Sequence, residues 1–142
     1  METQLFANFA TNPTNSYYLH PNKNPSIIFV TPLLDHKNYQ TWCRSMKVAL
    51  ISKNKLKFVD GTLHLPTVSD PLHELWIFCN NMLLSWIQRS ILGTIVKSIM
   101  WCDRAAVVWK CLEQRFAHDD IFRIADLLEE ITFYQQGLTN YF

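Results

Sequence analysis

A repeat of apolar residues three and four positions apart, between Leu72 and Ile87, constrains the fold more than any other feature. This spacing places the apolar side chains on one face of an α-helix of about five turns. The preceding Asp70-Pro71 pair is typical of a helix start, because Asp accepts hydrogen bonds from the first amides and Pro suits the first helical position. A helix with one apolar face requires other elements to cover it, so the sequence predicts a domain of packed helices. The repeat consists of Leu72, Leu75, Trp76, Cys79, Met82, Leu83, Trp86 and Ile87.

A similar apolar face predicts an earlier helix that begins after Asn38, with Asn38 as its cap and the cations at 53–57 near its end. The Asp60-Gly61 pair that follows favours a tight turn. The segments on either side of this turn could pair as a short β-hairpin near residues 56–65. The apolar face of the helix consists of Tyr39, Trp42, Met46, Ala49 and Leu50.

Three shorter helices are predicted after Gly93, which is expected to end the long helix. The first spans residues 94–100, and the second begins at an Asp103 cap. The sequence AHDD at 117–120 is expected to break the second helix, with one of its two Asp residues opening a last helix that ends at Gly137. About five helices joined by short connectors predict an all-α bundle.

The chain of 142 residues is long enough for one domain with a real core, since about two-thirds of the unfolded surface is buried at this size. We predict a helical domain over residues 16–137, a flexible N-terminus over 1–15 and a short tail over 138–142. Residues 1–35 contain four prolines and no helical period, so an extended N-terminal arm is expected, in which 27–30 could form a strand.

Cellular location is predicted from two missing signals. No apolar run approaches the ~18 residues of a membrane helix. The region after Met1 also lacks the cationic start and apolar stretch of a signal peptide. We therefore expect a cytoplasmic protein with no membrane partner, whose four scattered cysteines are reduced.

The sequence carries no recognised arrangement of catalytic residues. Its three glycines are too far apart for a phosphate-binding loop, and GxSxG and HExxH motifs are missing. Glu129 and Glu130 are adjacent, so on a helix they point about 100° apart and cannot act as a pair. His64, His73 and Cys79 have no metal-binding spacing. We expect no enzyme, no cofactor, no metal and no small-molecule substrate.

Positive charge is concentrated near the first helix, where residues 36–59 hold six cations and no acid. Two interpretations stay open: a solvated helix end, or a patch that binds RNA weakly or an acidic neighbour. The acidic stretch at 119–130 provides a complementary surface, so head-to-tail contact between copies is conceivable. The candidate nucleic-acid contacts are Lys37, Arg44, Lys47, Lys53, Lys55 and Lys57.

Aromatic residues interleave with these cations, which is also typical of a groove for single-stranded nucleic acid. Helical periodicity separates the two kinds, however, because Tyr39 and Trp42 share the apolar face while Arg44 points to the opposite side. The aromatics are therefore expected in the core, whereas Trp101, in a connector, could seat a partner helix. The predicted core aromatics are Tyr39, Trp42, Trp76, Trp86, Trp109 and Phe116.

Four sequence patterns, in this order and with these gaps, resemble the N-terminal Gag region of copia-type LTR retrotransposons, which are abundant in plant genomes. The resemblance covers about residues 15–137, although His36 stands where the family commonly has Gly. The patterns are YYLHP at 17–21, a leading Leu34 with NY..W.R.M..AL..KNK..FVDG to 61, DP....W..CN.M.LSWI..S at 70–90 and I...I...D.A..VW..L..RF at 95–116.

The resemblance implies a structural protein, the capsid part of Gag, whose helices associate into a particle that packages element RNA. It implies no catalysis, and it makes other Gag copies the expected partners. The family normally continues into further helices after Gly137, so the chain is expected to be a fragment of Gag whose last residues form a truncated tail.

Overall fold

Residues 30–140 form five α-helices and no β-strand in the computed structural model of the chain. The structure describes residues 8, 9, 11–18 and 30–140, without the side chains of 118–124 and 140. The predicted all-α fold is therefore confirmed. The helices are α1 (Tyr39–Ser52), α2 (Leu56–Val59), α3 (His73–Arg89), α4 (Gly93–Ile99) and α5 (Ala105–Asn140).

The segment that leads into α1 is bound to the end of α3. The Val30 amide donates to Ser90 Oγ at 3.1 Å, and the Leu34 amide donates to Ser90 O at 2.9 Å. Both apolar side chains are buried. The rest of the strand predicted at 27–30 lies outside the described residues, as do 1–7 of the expected flexible N-terminus and 141–142 of the expected tail.

The β-hairpin predicted near 56–65 is wrong, because Leu56–Val59 forms the single turn of α2. Phe58 and Val59 are both buried, and adjacent side chains lie about 100° apart on a helix but on opposite faces of a strand. Asp60 Oδ1 accepts a hydrogen bond from the Thr62 amide at 2.9 Å, and the positive φ of 82° at Gly61 completes the reversal.

The break predicted at 117–120 is also wrong, since α5 runs without interruption for 36 residues, or about 54 Å. The AHDD sequence contains neither Pro nor Gly, and Asp inside a helix costs less than about 1 kcal/mol relative to Ala. Nothing in the backbone therefore ends the helix there. Gly137 lies inside α5 instead of ending it.

The ends of α3 differ from the prediction by a few residues. The helix begins at His73, and Asp70 closes the turn before it by accepting a hydrogen bond from the Leu72 amide at 2.9 Å. At the other end α3 stops at Arg89, and Gly93 begins α4 instead of closing α3.

The C-terminus of α1 is a Schellman motif. Asn54 adopts a positive φ of 57°, and its amide donates to Ile51 O at 3.0 Å. The Lys55 amide donates to Leu50 O at 2.8 Å, which reverses the chain direction and turns Lys55 toward the core. At the N-terminus Asn38 makes no side-chain cap; its Oδ1 accepts from the Asp35 amide instead.

The start of α5 is held by Asn80 of α3 and not by a side-chain cap from Asp103. Buried Asn80 accepts a hydrogen bond from the Ala105 amide at 2.9 Å and donates to Asp103 O at 2.7 Å. The Asn80 side-chain oxygen thus accepts a hydrogen bond from one of the four N-terminal backbone amides of α5, which have no acceptor within the helix.

The first half of α5 packs against α1, α2 and α3, and aromatic contacts fill the junction. The Trp42 and Trp109 ring centroids are 5.9 Å apart, and the Tyr39 and Phe116 rings stack at 6.2 Å. The core therefore centres on the N-terminal half of α5, and the helix continues well beyond it.

Candidate functional site

The described residues contain no group of three or more His, Cys, Asp or Glu side chains that could hold a metal ion. His73 Nδ1 lies 2.8 Å from Pro66 O, so this ring is already hydrogen-bonded. The Cys79 and Cys102 thiols are buried, and burial raises the pKa of Cys102, which keeps that thiol protonated. The functional candidates among the described residues are exposed surfaces.

The most distinctive of these surfaces is the second half of α5, where every described side chain from 125 to 139 is exposed or nearly so. Leu127, Ile131, Tyr134 and Leu138 follow one another at spacings of four, three and four residues, which is coiled-coil spacing. Between 50% and 76% of each side chain is exposed. We call these four residues the α5 seam.

Four of the six cations predicted to contact nucleic acid are exposed: Lys37, Arg44, Lys47 and Lys57. Lys53 is half-buried, and its Nζ lies 5.7 Å from the centre of the Trp86 ring, at cation–π distance.

Lys110 of α5, which sequence reasoning missed, lies beside Lys47 in a groove of about 700 Å³ between α1, α2 and α5. The groove also holds Asp60 and Glu113, so it is not uniformly basic.

Lys55 differs from the other five cations because its side chain is 1% exposed. Its Nζ donates hydrogen bonds to Ser16 O at 2.8 Å and to Tyr18 O at 2.6 Å. Burial lowers the pKa of this ammonium. Lys55 therefore fastens the segment 11–18 to the helical core and cannot contact a phosphate from the surface. Asn54, a residue type that often follows a helix C-cap, is the signal in the sequence that could have indicated the turn.

A comparison with protein families matches residues 20–67 to the model described as Gag-polypeptide of LTR copia-type. The match supports a copia-type Gag domain in this part of the chain. The predicted resemblance to copia-type Gag is thereby confirmed over residues 20–67, and its extension to residue 137 stays a prediction. Searches of the curated proteins and of the solved structures found no match.

The match places α1, α2 and the loop that follows them inside the copia-type Gag sequence. Gag is a structural and non-catalytic region of its polyprotein, and the match supports a structural role for this segment. Among the described residues, every helix is too short or too polar to cross a membrane.

Five of the six aromatic residues predicted for the core are buried in the described structure. Tyr39, Trp42, Trp76, Trp109 and Phe116 are buried, whereas Trp86 is half-buried at the edge of the core. Trp101 is 78% exposed, and its indole N–H donates to Ser98 O within the same turn. Buried rings cannot stack on a nucleic-acid strand, so the α1 aromatics and the exposed cations do not form one common groove.

Proposed function

We propose that this Gag domain is a non-catalytic building block that self-associates in the cytoplasm to form a particle. The observation that carries the proposal is the α5 seam, a row of exposed apolar side chains beyond the folded core. Monomeric proteins seldom expose apolar residues in a continuous row, and such surfaces usually mark contacts with other proteins.

The spacing of the seam supports a contact with another helical surface. Residues that alternate four and three positions apart stay on one side of a helix and can insert between the side chains of a partner helix. Fully burying one Leu or Ile side chain contributes about 1.5–3 kcal/mol. Burial of the four exposed side chains of the α5 seam therefore provides a substantial hydrophobic driving force for association.

Ile131→Lys tests the seam, and this substitution is expected to weaken self-association about 10- to 100-fold. The loss corresponds to the burial of one Ile side chain, converted at 1.4 kcal/mol per factor of ten. Sedimentation equilibrium over a concentration series measures the dissociation constant.

Gln136→Lys is the matched control, because it adds the same charge to the opposite side of α5, about 140° from Ile131 on the helix. We expect the control to associate nearly as well as the unchanged chain. An unchanged chain that sediments as a monomer at every concentration would refute the proposal, and equal effects of the two substitutions would remove the seam from it.

A second candidate function is weak RNA binding through the exposed cations Lys37, Arg44, Lys47 and Lys57 and the half-buried Lys53. Their concentration in a stretch without acids favours this role, since phosphate contacts depend on clustered Lys and Arg. Lys55 is excluded from this set because it is buried.

The double substitution Lys53→Gln with Lys57→Gln tests RNA binding while Arg44 and Lys47 of α1 stay unchanged. If both lysines contact phosphates, the slope of log affinity against log salt concentration should fall by about two. Fluorescence anisotropy with a labelled oligoribonucleotide at several salt concentrations provides the slope. Lys97→Gln, on α4, is the control, and a slope that the double substitution leaves unchanged would exclude these two residues.

A further inference from the structure

We propose that copies of this chain associate head to tail, with the outer half of α5 in one copy docked on the outward side of α1 in the next. This inference rests on the proposed self-association and adds the identity of the surface that the α5 seam contacts. The inference is based on two exposed surfaces of the same chain that are complementary in charge and that both contain apolar side chains.

The outward side of α1 combines exposed apolar groups with positive charge. Val48 and Ile51 are 62% and 60% exposed, and the exposed cations Arg44 and Lys47 lie within one turn of them. Helical geometry places all four within an arc of about 100° that points away from the buried face of α1. We call these four residues the α1 outer face.

The second half of α5 has the same organisation with the opposite charge. Asp126 and Glu130, four residues apart, form an exposed acidic row along one side of the α5 seam. No Lys or Arg occurs between 125 and 139, just as no Asp or Glu occurs between 36 and 59. Apolar groups can therefore meet apolar groups while acids meet bases.

The two surfaces can meet only between copies, because both are exposed within one chain. Pairing the α5 seam with its own counterpart would leave Asp126 and Glu130 without a cation in that part of the partner helix, and in parallel orientation it would bring the acids of two copies together. The α1 outer face supplies the missing cations. When two copies join through two different surfaces, one copy keeps an unused α1 outer face and the other keeps an unused α5 seam. Association can therefore continue into a ring or an open chain.

Two charge-reversed variants of the full chain test this arrangement. One carries Arg44→Glu and Lys47→Glu and so loses the α1 outer face, and the other carries Asp126→Lys and Glu130→Lys and so loses the acidic row. Each variant alone is expected to sediment as a 16.7 kDa monomer at concentrations where the unchanged chain forms larger species. An equimolar mixture of the two should again form species larger than 16.7 kDa, because the intact acidic row of one variant meets the intact α1 outer face of the other, and the new lysines meet the new glutamates.

Two substitutions serve as controls for the change in charge. Lys97→Glu lies on α4, and Glu129→Lys lies on the side of α5 away from the seam, so both should associate like the unchanged chain. All substituted side chains are exposed, and circular dichroism with thermal melting verifies that each variant is folded. Nuclease treatment of the samples removes any bridging RNA.

The outcomes separate this inference from the function on which it rests. Self-association of the Arg44→Glu, Lys47→Glu variant at the level of the unchanged chain overturns the head-to-tail contact, while association through the α5 seam stands. Two monomeric variants that stay monomeric when mixed also overturn it. An unchanged chain that never associates overturns both proposals. Association that occurs in the mixture but in neither variant by itself supports the head-to-tail contact.

Discussion

Lys55→Met is expected to lower the free energy of unfolding by about 2–4 kcal/mol. Methionine has a side chain of similar length but no ammonium group. The Ser16 and Tyr18 carbonyls therefore lose the hydrogen bonds that Lys55 Nζ donates to them at 2.8 and 2.6 Å. A buried polar group that loses its partner costs about 1–3 kcal/mol. Urea denaturation followed by circular dichroism measures the difference.

The same substitution should also change how stability depends on pH. Burial lowers the pKa of Lys55, so the unfolded chain holds the proton at pH values where the folded chain has released it. Stability of the unchanged chain therefore rises with pH between the lowered pKa and the ordinary lysine value. Lys55→Met lacks this contribution, so the stability difference between the two chains should grow with pH in that window.

Lys57→Met is the control for both measurements, because Lys57 is exposed and only two residues away. We expect it to change the free energy of unfolding by less than about 0.5 kcal/mol. Limited proteolysis with chymotrypsin provides a second readout, since release of the segment 11–18 would open the bond after Tyr17 to cleavage. A Lys55→Met chain with unchanged stability and unchanged cleavage would show that Lys55 does not hold this segment.

Trp42→Ala should destabilise the chain by about 3–5 kcal/mol, the largest effect that we expect for a single substitution. The side chain is 2% exposed and packs against Trp109, so its removal leaves a cavity between α1 and α5. The indole N–H also donates to Ser90 O at 2.9 Å, which links α1 to the end of α3. Thermal and urea denaturation report the loss.

Trp101→Ala removes the same side chain from an exposed position and should cost less than about 0.5 kcal/mol. Trp42→Phe keeps a ring in the core but loses the hydrogen bond to Ser90 O, so it should fall between the two. This graded variant remains informative even where Trp42→Ala prevents folding. Equal costs for Trp42→Ala and Trp101→Ala would contradict the proposed role of burial.

Helix α3 and the inward side of α1 are the parts of the fold that the sequence predicted best. Their apolar residues recur every three or four positions, and this local period survives in the structure as a buried stripe. The same period predicted that Arg44 points away from Tyr39 and Trp42, and Arg44 is indeed exposed while the two rings are buried.

The predictions for α2 and α5 failed because they treated weak local signals as decisive. Asp60-Gly61 does form a turn, but the burial of Phe58 and Val59 on the same side favours a helical turn before it. In α5, the two adjacent Asp residues at 119–120 suggested a helix start, because Asp is common there. The free-energy cost of Asp inside a helix is too small, however, to end a helix whose first half is packed on the core.

Local periodicity by itself determined the helical class, the apolar stripes and the separation of rings from cations, because these depend on residues within one or two turns. Only the tertiary structure decided that Lys55 is buried, that Asn80 holds the start of α5 and that the α5 seam stays uncovered. Lys55 binds carbonyls 37 and 39 residues away, and Asn80 binds an amide 25 residues away. Such partners depend on how distant segments meet, which no local pattern records.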